Sequence, residues 1–143
     1  MILELVFLAQ AATATPAPEP TPTPDRRIEL AAAAIVDDAG ASFVEKIDWT
    51  EDAASQPGAV PQLRIYMAKT PWHKATRSLK RDVVDRLAKL DWRTSSWASR
   101  HFDGGMFARV YVGETFLGRL EVRDRYDGGR DDRFKPGPAW ADQ

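Results

Sequence analysis

The sequence predicts an α+β domain, and three observations carry that expectation. Two β-rich runs meet at Gly113-Glu114, a further alternating run occupies residues 62–68, and residues 70–90 carry an amphipathic helical pattern. The expected architecture is a mainly antiparallel sheet, including a C-terminal three-strand meander, packed against that one long helix, with room for a second short helix ahead of it. At 143 residues, 43% hydrophobic and 29% charged, the chain suits one domain with tails and a core of useful size. Cysteine is absent, which excludes disulfides, thiolate nucleophiles and cysteine-ligated metals.

Residues 1–14 hold an apolar run from Ile2 to Ala9, interrupted by Glu4, then small residues with A-x-A sites at Ala9-Gln10-Ala11 and Ala12-Thr13-Ala14. This resembles a bacterial signal peptide, although no Lys or Arg precedes the run, and it is too short to span a bilayer. Residues 15–25 alternate proline with Thr, Ala and Glu before Asp25. Such a tract lacks the donors that a helix or sheet requires and predicts an extended tether. Export to the periplasm or beyond, with no transmembrane anchor after processing, is the economical expectation.

The folded domain is expected over residues 26–125. Four alanines between Leu30 and Ile35 favour a helix over residues 28–36, with a strand as the rival and Gly40 as the stop. Residues 42–49 give a mixed strand pattern, and residues 50–61 a loop punctuated by Pro57-Gly58. The next strand alternates Leu63, Ile65 and Met67 with Arg64 and Tyr66. Thr70-Pro71 is a good helix start, and Trp72, Ala75, Leu79, Val83, Leu87 and Leu90 then recur at helical steps up to residue 90. Residues 95–102 alternate weakly and are expected to form the first meander strand, joined to the hairpin by Asp103-Gly104-Gly105. Residues 126–143, charged and rich in Gly and Pro, read as a flexible tail.

Two registers compete within the hairpin. A two-residue Gly113-Glu114 loop would pair Val112 with Thr115 and Tyr111 with Phe116, as Gly in first place favours. A three-residue loop would set Ala108, Val110 and Val112 on one face with Phe116, Leu120 and Val122, leaving Arg109, Tyr111, Arg119, Glu121 and Arg123 on the other. A one-residue slip reverses every side chain, so the alternation is given priority and the second register is expected.

Charge is segregated: residues 1–61 carry 3 basic and 10 acidic side chains, and residues 62–125 carry 14 and 7. The halves either neutralise each other by packing together or leave a basic surface for an anionic partner. His73 and His101 are the only histidines, with no metal-ligand spacing, nucleotide loop or nucleophile motif around them. His101 and Asp103 are the nearest approach to an acid/base pair, and the spacing does not favour it. No cofactor is expected, and catalysis has no motif behind it.

The candidate site is a sheet face. If the meander turns its even-numbered residues inward, Trp97, His101, Arg109, Tyr111, Arg119 and Arg123 share the opposite face with Phe107. Rings among arginines suit an anionic polymer such as a nucleic acid, a polysaccharide or lipid head groups, unless the acidic N-terminal half covers that face as a second core. The expected function is a non-catalytic, envelope-associated binding module for a protein or small ligand. Anionic-polymer binding through the basic face is the first alternative, and a small enzyme with a site near His101 the second.

Overall fold

The sheet's alternating strands have one apolar and one polar face, so helices need cover only one side of it. In the computed structural model, which describes residues 21–50, 62–101, 106–123 and 134–143, they do so. The first helix, α1, spans Pro24–Ala33, followed by β1 (Val44–Trp49) and β2 (Leu63–Met67). Two helices follow, α2 (Lys69–Lys74) and α3 (Arg77–Ala88), then a 3-10 turn at Trp92–Thr94 and α4 (Ser96–His101). The chain finishes with β3 (Met106–Val112), β4 (Thr115–Arg123), β5 (Phe134–Pro136) and a second 3-10 turn at Pro138–Asp142. The strands lie in the order β1-β2-β3-β4-β5, antiparallel except for β2 and β3, which run parallel. A parallel pair needs a long crossover, and the helical segment from α2 to α4 supplies it. Among these residues no helix is long and apolar enough to cross a membrane.

The predicted long helix over residues 70–90 is broken in two. Ala75 and Thr76 are extended (ψ 145° and 162°), and the Thr76 hydroxyl accepts a hydrogen bond from the Leu79 amide at 3.1 Å, giving α3 its own N-cap. The break rotates the buried stripe. Lys80, Val83, Val84, Leu87 and Ala88 face inward, while Leu79 is turned out. Lys80 buries its stem and holds its ammonium 5.6 Å from the centre of the Trp72 ring.

The predicted first meander strand, residues 95–102, is instead the helix α4, so the three-strand meander does not form. Two caps account for this. The Ser95 hydroxyl accepts from the Ala98 amide at 3.0 Å, and the Asp25 carboxylate accepts from the amides of Ser96 and Trp97 at 2.9 and 3.2 Å. Asp25 lies in α1, so one helix completes the N-terminus of another. The tail is corrected as well: Phe134 is fully buried, β5 pairs with β4, and Trp140 packs on Trp72 and Phe134 with ring centres 5.9 and 4.8 Å apart. The folded unit therefore includes residues 134–143. The signal-like segment, the first part of the tether, the loop at 51–61, the Asp103-Gly104-Gly105 turn and residues 124–133 lie outside the described residues.

The hairpin combines features of both registers. Val112 pairs with Thr115 and Tyr111 with Phe116 around a two-residue loop in which Gly113 has φ 57° and Glu114 does not have positive φ, the pattern of a type II′ turn. The register then shifts between Val110 and Tyr111, so that Val110 faces Gly118 and Leu117 is the extra residue of a bulge. Beyond it Leu120 rejoins Ala108 and Val110 on the buried side, and Arg119 and Glu121 stay with Arg109 and Tyr111 on the other. Gly118 is needed there, because a Cβ would come within 2.6 Å of the Lys135 carbonyl oxygen and 2.7 Å of the Phe134 ring.

Candidate functional site: the open face of the sheet

All the helices pack on the face formed by Ile47, Leu63, Ile65, Met67, Ala108, Val110, Leu117 and Leu120. The N-terminal helix, with two acidic and two basic side chains, is among them: α1 inserts Ile28 and Ala32 into this core, and its Glu29 carboxylate accepts from the Trp49 indole at 2.7 Å. No described element covers the opposite face, where Arg109 and Arg119 are exposed and Phe107 is 44% exposed.

Register arranges the open face in rows, because cross-strand partners project on the same side. One row runs Lys46, Tyr66, Tyr111, Phe116 across four strands. The Tyr66 and Tyr111 rings stack at 5.5 Å with planes 23° apart, Phe116 meets Tyr111 edge-on at 5.6 Å, and the Lys46 ammonium lies 4.8 Å from the Tyr66 ring centre. The neighbouring row runs Asp48, Arg64, Arg109, Arg119, Lys135 across all five strands. Arg64 pairs with Arg109, Arg109 with Arg119, and Arg119 with Lys135, three like-charge cross-strand pairs in succession. A third, shorter row pairs Phe107 with Glu121.

Like charges directly opposite each other destabilise a sheet, so the neutralising groups have to be found. The ion pairs seen among the described residues are Arg26–Glu29, Arg81–Asp85 and Arg86–Asp82, all on helices. Arg64 donates to the Gln62 side-chain oxygen at 2.9 and 3.1 Å rather than to its neighbour Asp48. Arg109 and Arg119 rest against rings, 5.9 Å from the centre of Phe116 and 4.9 Å from that of Phe107. These contacts hold the guanidinium groups in place without cancelling their charge. The row is cationic over four strands, with Asp48 at its β1 end and Glu121 in the short row beside it.

Of the residues expected on this face, Arg109, Tyr111 and Arg119 are there, with Phe107. Trp97 is not: it is 1% exposed, inside the core on α4, with its ring 5.9 Å from that of Trp49. His101 ends the same helix, so it belongs to the crossover and not to a sheet strand. Arg123 ends β4 opposite Met106. Lys46, Asp48, Arg64, Tyr66, Phe116 and Lys135 complete the rows and were missed; Phe116 was expected on the buried face, and the bulge at Leu117 leaves it on the open one beside Tyr111. The Leu63/Ile65/Met67 alternation already sets Arg64 and Tyr66 on the polar side of β2, but nothing local says that β2 lies beside β3.

Elsewhere the described surface offers a notch beside Phe43, Pro71, Ala75 and Leu79, and a depression between Lys69, His73, Glu114 and Gln143. The second also takes in the Thr115 hydroxyl, but no hydrogen bond or ion pair among the described residues joins the ionisable groups of either hollow to one another, and among the described residues no three of His, Asp or Glu approach one another as metal ligands would. No protein-family model matches the chain, and neither a curated protein nor a solved structure gives a significant match to it.

Proposed function

We propose that this protein is a non-catalytic binding module whose open sheet face takes an anionic polymer. The observation that carries the reading is the run Arg64, Arg109, Arg119, Lys135, with like charges opposed on four adjacent strands and no carboxylate in ion-pair contact among the described residues. A sheet does not gain stability from three like-charge pairs in succession, and with Asp48 opposite Arg64 as the row's one acidic member the excess positive charge supports a site for an anionic ligand. The absence of a described covering element favours this reading over a second core built from the same aromatics.

The test is retention on immobilised heparin as a function of salt. Four cations engaging an extended polyanion give a slope of log affinity against log salt of roughly −3. The double variant Arg109→Gln/Arg119→Gln should elute earlier and lower the slope by roughly 1 to 2. Retention indifferent to salt, or unchanged in the variant, would overturn the reading in favour of a shape-matched protein or small-ligand site. Export remains a separate proposal that rests on residues 1–24 alone. Intact mass of the protein purified from its own host checks it, with cleavage after Ala11 or Ala14 as the expected result.

A further inference from the structure

We infer that the polymer is a single-stranded nucleic acid crossing the strands, its phosphates along the Arg64–Lys135 row and its bases on the rings to either side. This rests on the polyanion reading above and narrows it. Adjacent strands are roughly 4.8 Å apart, so the four cations form a line of about 14 Å perpendicular to the strands. Successive residues on one face of a strand are roughly 6.7 Å apart. The tyrosine row and Phe107 therefore flank the cation row at the lateral reach of a base from its backbone.

The two flanks differ in what they present. Tyr66 and Tyr111 spend their ring faces on each other, on Lys46 and on Phe116, leaving edges and phenol groups for hydrogen bonds to base edges. Phe107 has one face against Arg119 and is 44% exposed, which makes it the stacking position. A duplex fits poorly: its major groove admits a helix or a two-stranded ribbon, and here the helices lie on the far side of a broad sheet. A lipid surface would call for an apolar face able to insert, and Phe107 is the single large hydrophobic side chain on this face above one-third exposure among the described residues.

Fluorescence anisotropy of a labelled oligothymidylate with the full chain tests the assignment, with inorganic polyphosphate and heparin of matched charge as competitors. The expected result is binding at low salt, competition at least tenfold weaker by either base-free polymer, and about a tenfold loss for Phe107→Ala toward the oligonucleotide, with a much smaller loss toward polyphosphate from the release of Arg119. Phe107 is exposed, so this variant should keep its fold, and an unchanged melting temperature verifies that. Equal or tighter binding of polyphosphate or heparin overturns the nucleic-acid inference and leaves the polyanion reading standing. A preference for the oligonucleotide that survives Phe107→Ala intact overturns the placement of the bases. Failure of all three polymers to bind at low salt overturns both readings.

Discussion

The two faces of one sheet obey different rules. On the helix side Ala108, Val110 and Leu120 are fully buried, with Ala108 paired to Leu120 on one neighbour and Val110 to Ile65 on the other. One residue along on the same strands, Arg109 and Arg119 oppose each other with no carboxylate between them among the described residues. Both faces are set by the same backbone hydrogen bonds, so the contrast lies wholly in the side chains. Burial explains the first face completely. The second opposes like charges that its backbone does not require.

If the helix face alone carries stability, truncating it should be costly. Phe134→Ala removes a fully buried ring that Trp140 and Gly118 both touch, and should cost about 3–5 kcal/mol. Leu87→Ala and Leu120→Ala should each cost about 2–5 kcal/mol. Chemical denaturation measures all three, and wild-type midpoints would show that the core is not where the sheet's parity puts it. Asp25→Ala removes the acceptor of two α4 amides and should cost about 1–2 kcal/mol, with a matching loss of helical signal in circular dichroism.

The smallest effect tests the comparison most sharply because its sign is reversed. Lys135→Glu places a carboxylate opposite Arg119 and disturbs no ring contact, so it should raise stability by about 0.2–1 kcal/mol. The same change should weaken polyanion binding. A variant that melts higher and binds worse would show that the open face trades stability for charge. One that melts lower would mean that the row is already neutralised.

Much of the contrast was legible in residue parity. Arg109, Tyr111 and Arg119 alternate with Val110 and Leu120, and that alternation survives into the structure. What parity could not supply was any feature fixed over a distance. The α4 segment is only six residues long, too short to display a helical period, and one of its caps is 71 positions away in sequence at Asp25. The parallel neighbour relation of β2 and β3 follows from the crossover, not from either strand. The Leu117-Gly118 bulge lets the two-residue turn put Phe116 on the open face beside Tyr111 and still returns Arg119 and Leu120 to the sides that the alternation assigns them. The last segment did carry a signal: Phe134 and Trp140 are large apolar anchors in a stretch whose Gly and Pro content had suggested a mobile tail.

The reach of Asp25 to α4 also bears on timing. The N-terminus of α4 is finished by a carboxylate from α1, so the amides of Ser96 and Trp97 acquire these partners only when α1 is docked. Their exchange with solvent deuterium therefore reports the undocking of a helix some seventy residues upstream. Since α4 leads into β3, which carries Arg109 and Tyr111, loosening the first helix should be felt at the entry to that strand.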